Sequence, residues 1–113
     1  MAIPHAKPGE AVDVRPFRDQ LSAAQTTTLV KTDSIEVIRL VLPANKEIPP
    51  HKVHGEITVQ CLEGKVEFRA GGSQCELTAG MLVYLRGSEE HGLRAVEDSS
   101  LLVTILLTSK GSS

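Results

Sequence analysis

The sequence predicts a single all-β domain, a sandwich or barrel of short strands, and three observations support this. Glycines recur every seven to nine residues from Gly55 to Gly87, with β-prone runs between them. No helical pattern long enough to connect parallel strands separates these runs, which excludes a parallel α/β sheet. The 113 residues suffice for one hydrophobic core but not for two. Short strands at even spacing, punctuated by turn residues, are typical of sandwiches and barrels.

The elements can be assigned in chain order. Residues 1–12 contain two prolines and a glycine and offer little to bury, so we expect a mobile arm. Residues 13–108 are expected to form the folded domain, and residues 109–113 a short tail. The stretch RDQLSAAQ predicts a short helix, and TTTLVK predicts the first strand. SIEVIRLVL predicts the second strand, with both of its faces partly covered because apolar residues fall at odd and even positions alike.

Five further strands follow from the β-prone runs ITVQCLE, KVEFRA, QCELTA, MLVYLR and LLVTILL. The last of them is long, apolar and low in charge. At an open sheet edge such a strand would promote aggregation. A closed barrel or a homodimer would cover it, and we expect a homodimer.

Charge and composition exclude several classes of protein. A net charge of −2 and a pI near 6.1 provide no basic surface for nucleic acid or an anionic membrane. No apolar run approaches the roughly 20 residues of a membrane span. The start MAIPHAKPGE lacks the apolar region of a secretory signal, so we expect a cytoplasmic protein. Cys61 and Cys75 are too few for a disulfide scaffold and form no CxxC pair, and we expect both to be buried free thiols.

Three of the four histidines are candidates for chemistry. His51 and His54 follow EIPP, a rigid extended segment whose prolines fix φ, and His91 follows the turn RGSEE. Imidazole is the commonest protein ligand for first-row divalent metals. The alternative is that these are ordinary surface or core histidines. His5, in the arm, is given no role.

Further information comes from longer segments of the sequence. HKVHGEITVQCLEGKVEF, followed by LTAGMLVYLRGSEEHGL, resembles the two halves of the small single-domain cupins. The resemblance runs from about Leu29 to Leu107. It implies an antiparallel jelly-roll barrel of the RmlC-like kind, also called a double-stranded β-helix. In such proteins, motif residues on the inner face of the barrel hold a divalent metal.

The first motif of that family is G-x5-H-x-H-x3,4-E-x6-G and the second is G-x5-P-x-G-x2-H-x3-N. His51 and Gly64 match the first motif, while Val53 and Ile57 stand where it has its second histidine and its glutamate. The remaining positions, in both motifs, are Asn45, Gly80, Arg86, Ser88, His91 and Ala95, of which Gly80 and His91 match.

The resemblance therefore implies a metal site at His51 and His91. His54 comes one residue after the motif position, beside Gly55 in a predicted turn, and is the third candidate ligand. Three neutral imidazoles can bind Zn, Ni, Fe or Cu, and Mn less well because no carboxylate is present. We expect His51 and His91 to face inward together.

Strand alternation decides which neighbours share that face. Ile57, Val59 and Cys61 are expected to line the inner face of the barrel. Glu56 and Gln60 then point away, unless a β-bulge turns one of them inward.

Two interpretations are open for Tyr84 and for Arg86. Tyr84 and Arg86 could line the mouth of the barrel and hold an anionic substrate, or Tyr84 could be core and Arg86 a surface residue. Glu56, Glu89 and Glu90 are interpreted as solvated charges at the rim.

Two functions are compatible with these residues. In the first, a metal on the three histidines binds a small enol or carboxylate and promotes its oxidation or isomerisation, as in the small dioxygenases that the family includes. In the second, the barrel binds a small organic ligand without metal or catalysis. The missing glutamate favours the second slightly, and fold alone cannot decide.

Overall fold

The computed structural model describes residues 5–107, and these residues form one short helix and nine strands. A 3-10 helix at Arg18–Ala23 confirms the predicted short helix. The strands are β1 (Thr27–Lys31), β2 (Ile35–Leu42), β3 (Glu47–His51), β4 (Ile57–Glu63), β5 (Lys65–Ala70), β6 (Ser73–Thr78), β7 (Leu82–Leu85), β8 (His91–Ala95) and β9 (Ser99–Leu106).

The nine strands form two antiparallel sheets. One has five strands in the order β1-β2-β9-β4-β7, and the other has four in the order β3-β8-β5-β6. Most neighbours in a sheet are distant in sequence, as a jelly roll requires. The predicted all-β jelly roll is confirmed, as two packed sheets rather than one continuously hydrogen-bonded barrel.

The core lies between the two sheets. Its members are apolar side chains from alternate positions of both sheets: Leu42, Ile57, Val59, Cys61, Val66, Phe68, Leu77, Leu85, Leu93, Ala95, Leu101 and Val103. On β4 the inward positions Ile57, Val59 and Cys61 are only 5%, 2% and 0% exposed, which confirms the predicted alternation. Gln60 lies on the outer face of the sheet, where it is paired with Leu82 of β7 and Leu102 of β9.

The apolar run LLVTILL does not lie at an edge. Its strand, β9, pairs with β2 on one side and β4 on the other, so its backbone is paired on both sides. Of the two ways of covering this run that the sequence left open, the structure shows the first, because the jelly-roll topology itself covers it. The run therefore gives no support to a homodimer, which stays a prediction. Within the described residues, the edge strands are β1 and β7 in one sheet and β3 and β6 in the other.

Residues 13–24, called here the amino-terminal strap, contact the outer face of the five-stranded sheet. The ring of Phe17 stacks on the guanidinium of Arg39, whose carbon lies 3.7 Å from the ring centroid. Before the strap, the Ala6 N–H donates to the Leu29 carbonyl. The domain limits at residues 12 and 108 remain predictions, and the predicted tail at residues 109–113 lies outside the described residues.

The two cysteines differ. Cys61 is fully buried as predicted, and desolvation raises the pKa of its thiol, which keeps it protonated and unreactive at neutral pH. The prediction for Cys75 is wrong, because this residue is exposed on the edge strand β6. Nothing on the far side of that strand covers it within residues 5–107. No helix in this part of the chain has the length and apolar character needed to cross a membrane.

Candidate metal and ligand site

Two of the three candidate histidines meet across a strand pair. His51, at the end of β3, lies directly opposite His91, at the start of β8. Their ring centroids are 4.3 Å apart, with the rings tilted by 54°. Opposite residues of an antiparallel pair point to the same side of the sheet. The expectation that His51 and His91 lie together on the inner face therefore agrees with the geometry, since His91 shares its row with the inward positions of β5.

The local sequence explains how β3 reaches β8. Pro49 and Pro50 lack an N–H, and an edge strand tolerates this because one side of it needs no ladder partner. The pairing shifts register between Ile48 and His51, where the prolines lie. Gly92 permits the close approach, because a Cβ there would lie 3.0 Å from the Ile48 carbonyl oxygen and 3.1 Å from the Pro50 nitrogen. The side chains of His51 and His91 are therefore positioned by rigid backbone.

Hydrogen bonds orient both imidazoles in the same way. The Nδ1 atom of His51 lies 3.1 Å from the Pro49 carbonyl oxygen, and that of His91 lies 3.1 Å from the Glu89 carbonyl oxygen. A carbonyl can only accept, so each Nδ1 carries the proton and donates. In the neutral rings the Nε2 lone pairs then remain available. A metal-ligating histidine usually has its other nitrogen held in this manner.

The pair runs from the core towards solvent. His91 is only 4% exposed, whereas His51 is exposed. Phe68 lies beside His91, with ring centroids 6.0 Å apart and planes within 13°. Ala70 pairs with both His91 and Ser73, so these three residues form one inward-facing row. The site thus has an apolar floor and one small hydroxyl on its wall.

His54 is exposed in the loop between β3 and β4. The N–H of Ser88 donates to the carbonyl of Val53, and Gly87 packs against the backbone of His54, so this loop rests on the β7–β8 turn. No group of three or more His, Cys, Asp or Glu side chains within residues 5–107 is placed to hold a metal ion. The structure thus joins His51 with His91 but does not add His54 to them, and the three-histidine site remains a prediction.

Backbone angles support the alignment with the cupin motifs. The motifs place glycine at four turn positions, and all four have positive φ: Asn45 at 73°, Gly64 at 93°, Gly80 at 92° and Ser88 at 64°. Glycine is favoured in this left-handed region, and asparagine tolerates it. The turns of the two motifs are therefore retained even where their glycines are replaced.

The other motif positions do not supply ligands. Val53 packs against the core, and Ile57 is part of it. Glu56 lies on the exposed surface, where its carboxylate accepts a hydrogen bond from the Tyr84 hydroxyl at 2.7 Å. This bond raises the pKa of Tyr84. Tyr84 is 56% exposed, so it is not a core residue.

Sequence reasoning missed Phe68, Ala70 and Ser73 as neighbours of the histidines. KVEFRA was predicted only as a strand, and its pairing with β8, which brings Phe68 and Ala70 to the histidines, could not be read from the chain. It also missed a cavity of about 280 Å³ at the same end of the sheet. This cavity is lined by Pro50, Arg69, Ala70, Gly71, Gly72, Ser73, Gln74, Glu90, His91 and Gly92. Arg69 and Gln74 alternate with the inward row, so the cavity opens at the rim of the sheet.

Comparison with known proteins agrees with this architecture. A cupin superfamily protein from Desulfitobacterium hafniense is 12% identical, with 91% of this chain and 100% of that chain covered and a TM-score of 0.75. An RmlC-like cupin from Desulfovibrio desulfuricans is 27% identical, with coverage of 91% and 98% and a TM-score of 0.67. A predicted oxalate decarboxylase from Thermotoga maritima is 22% identical, with coverage of 74% and 79% and a TM-score of 0.66.

No curated protein matches the chain. The sequence profile of the cupin domain matches residues 38–107, which is more than half of the chain and runs from within β2 to the end of β9. This profile match, the jelly-roll topology and the left-handed motif turns agree with one another. The chain belongs to the cupin family.

Proposed function

We propose that this cupin binds a divalent transition metal through His51 and His91, together with a small organic ligand. The observation that supports this is the matched orientation of the two rings. Each Nδ1 is 3.1 Å from a backbone carbonyl, and the rings are 4.3 Å apart. Neutral imidazoles held in this way present nitrogen lone pairs, which suit transition metals.

The donor set fits such a metal only in part. Two imidazoles give fewer protein ligands than the three or four of most zinc sites. The small ligand, water or His54 would therefore have to complete the coordination. Because the set contains nitrogen and no carboxylate, we expect Zn, Ni, Cu or Fe to bind better than Mn.

When bound, the metal would supply a Lewis acid that polarises an oxygen atom of the ligand. The chain's own residues would orient that ligand. His91 and Phe68 form a buried wall that limits water on one side, and the exposed position of His51 leaves room for a small molecule to enter. Oxidation or isomerisation of a small enol or carboxylate is the reaction class that we propose for this arrangement.

A second function, binding of a small ligand without metal, is favoured by a different observation. The cavity of about 280 Å³ is lined by one cation, Arg69, and one carboxylate, Glu90, and includes His91. A ligand with a carboxylate could be held there by hydrogen bonds alone. Metal content distinguishes the two functions.

The test measures metal in protein purified without a histidine tag, and then titrates Zn²⁺, Ni²⁺ and Mn²⁺ into the metal-free protein by calorimetry. We expect His51→Ala and His91→Ala each to remove most of the binding, because the two nitrogens act together. Metal should also raise the melting temperature of the wild type, since it binds the folded state preferentially. His5→Ala is the matched control and should bind as the wild type does.

Each outcome has a separate meaning. Full metal binding in both single variants would place the site elsewhere and contradict the proposal. Absence of binding in the wild type would leave the second function, which a ligand-induced rise in melting temperature would then support. His54→Ala decides whether that histidine is a third ligand, because a ligand's removal weakens binding whereas a bystander's does not.

A further inference from the structure

A second cavity lies on the other side of the molecule, between the amino-terminal strap and the outer face of the five-stranded sheet. Its volume is about 620 Å³. It is lined by Asp13, Arg15, Pro16, Phe17, Arg18, Gln20 and Arg39. None of these residues belongs to β3, β5 or β8, so the cavity is separate from the histidine pair.

Arg39 is a buried cation in the wall of this cavity. Its side chain is 5% exposed, and Phe17 covers one face of the guanidinium. Its Nη2 donates to the Arg15 carbonyl at 2.7 Å and lies within 3.4 Å of Glu63 Oε2 and Ser100 Oγ. Its Nε–H is buried and has no acceptor within residues 5–107. Buried N–H groups are nearly always hydrogen-bonded, so an orphaned one on a charged group needs an explanation.

The cavity also contains more positive than negative charge. Arg15, Arg18 and Arg39 line it against one carboxylate, that of Asp13. The Arg15 side chain already binds this carboxylate through two contacts, Nε to Oδ1 at 3.0 Å and Nη2 to Oδ2 at 2.8 Å, and the Arg15 backbone N–H donates to Oδ1 at 2.9 Å. Such paired contacts are how arginine recognises carboxylates and phosphates from other molecules. Asp13 therefore occupies a position that an external anion would compete for.

The backbone holds Arg18 in an unusual conformation. Its φ is 58°, in the left-handed region that is unfavourable for a residue with a Cβ. Its N–H donates to Glu63 Oε1 at 3.0 Å, and the Phe17 N–H donates to Glu63 Oε2 at 2.9 Å. Glu63 thus fixes the backbone of the strap, while the Arg18 side chain remains exposed at the cavity. Strained residues fixed by their surroundings concentrate at binding sites.

We propose that this cavity binds a small anion with a phosphate or carboxylate group, through Arg15 and Arg18 with Arg39 behind them. The anion would replace Asp13 as the partner of Arg15 and supply oxygen acceptors at the guanidinium wall. The site lies outside the interior of the jelly roll and does not depend on the metal proposed above.

The experiment follows backbone amide signals in ¹H–¹⁵N spectra while inorganic phosphate or, separately, acetate is added at constant ionic strength. We expect saturable shifts at Arg15, Phe17, Arg18 and Gln20 with at least one of the two anions, and the comparison decides between a phosphate and a carboxylate ligand. Removing the competing carboxylate with Asp13→Asn should strengthen binding. The double variant Arg15→Gln/Arg18→Gln should weaken it about tenfold or more, since a charge-assisted hydrogen bond is worth roughly that factor.

Two controls change the net charge at remote positions: Asp33→Asn by the same amount as Asp13→Asn, and Arg86→Gln by half the amount of the double variant. Asp33→Asn should leave the affinity unchanged, and so should Arg86→Gln, because both residues are exposed and neither lines the cavity. Every variant must first give a dispersed, wild-type-like spectrum. Shifts that do not saturate with either anion, or an equal gain in affinity in Asp13→Asn and Asp33→Asn, would overturn the proposal.

Discussion

Ser88 has a side chain in a backbone conformation that favours glycine, with φ of 64°. The conformation is fixed because the Ser88 N–H donates to the Val53 carbonyl at 2.8 Å and so holds the loop that contains His54. The residue therefore contributes local strain to the rim of the histidine site. Its replacement tests both the turn and the motif alignment.

We predict that Ser88→Gly raises the free energy of unfolding by about 0.5–1 kcal/mol. Relief of left-handed strain gains about 1–2 kcal/mol, and the greater freedom of glycine in the unfolded chain offsets part of it. Urea denaturation measures the change. Asn45→Gly is the matched comparison. Its free energy of unfolding should rise less, because asparagine tolerates the left-handed region in which Asn45 lies, at φ of 73°. A loss of stability in Ser88→Gly would mean that the hydroxyl has a role that the geometry does not indicate.

Ile57 occupies the motif position of an acidic ligand and is 5% exposed. We predict that Ile57→Glu destabilises the metal-free protein by about 3 kcal/mol or more, because a buried carboxylate lacks a partner. Excess Mn²⁺ or Fe²⁺ should restore part of this loss if the new carboxylate lies beside His51 and His91. Melting curves of the variant and the wild type, each with and without metal, provide the measurement.

The control for this change is Thr58→Glu, on the opposite face of the same strand. Thr58→Glu should lower the stability less than Ile57→Glu does, and metal should raise its melting temperature no more than it raises that of the wild type. Equal destabilisation in the two variants, with no rescue in either, would contradict the expectation from the cupin motif that a carboxylate at position 57 reaches the histidines.

At the scale of elements, the strap depends on one carboxylate. Glu63 accepts hydrogen bonds from the Phe17 N–H, the Arg18 N–H and the Ser100 hydroxyl, and it pairs with Arg39. Burial alone would raise the pKa of Glu63, but these hydrogen bonds and the charge of Arg39 outweigh it and lower the pKa. The strap is thus attached to the sheet through the ionised form of Glu63.

We predict that Glu63→Gln lowers stability by about 2 kcal/mol at pH 7, as expected for loss of hydrogen bonds to a charged group. A carboxyl whose pKa is lower in the folded state stabilises above its unfolded pKa, and this contribution is lost as the pH falls. The difference in unfolding free energy between the wild type and Glu63→Gln should therefore become smaller as the pH falls below about 5. Urea midpoints across this range measure it.

Glu36→Gln is the control for that series. Glu36 forms only a surface pair with Lys31 at 3.3 Å, so its loss should cost under about 1 kcal/mol. If the difference in unfolding free energy between the wild type and Glu63→Gln does not change with pH, Glu63 does not act through its charge.

The strands differ in how well local sequence predicts them. ITVQCLE and KVEFRA match β4 and β5 because their apolar residues alternate and glycines flank them. β8, with the sequence HGLRA, was not assigned, since a histidine, a glycine and an arginine hide its inward residues. The order of strands could not be predicted either. β9 lies between β2 and β4 through contacts between distant parts of the chain, which no local pattern encodes.

At the scale of the whole molecule, the same limit applies to the site. The resemblance to cupins predicted that His51 and His91 would act together, and the pairing of β3 with β8 places them 4.3 Å apart. The position of His54 depends on a loop rather than on strand alternation, so the sequence could not place it. The second cavity depends on where the strap lies, which is decided by Arg39 and Glu63 on two different strands.

The predicted homodimer also belongs to this scale, and the exposed strand that supports the prediction is β7 rather than β9. β7 is an edge strand, and its outward residues Leu82 and Tyr84 are 58% and 56% exposed. Leu106, on the same face of the sheet, is 44% exposed. Unpaired edges with exposed apolar side chains favour pairing with another chain.

We predict that the protein sediments at micromolar concentration with twice the 12.1 kDa mass of one chain. Two copies would pair their β7 strands about a two-fold axis, so that each buries the other's Leu82 and Tyr84. Leu82→Lys should give the monomer mass, because it puts two like charges into that contact.

Ser73→Lys, on the other sheet's edge strand β6, is the control and should leave the dimer intact. A wild type that sediments only at 12.1 kDa would refute the dimer. A dimer that survives Leu82→Lys but not Ser73→Lys would place the interface on the four-stranded sheet.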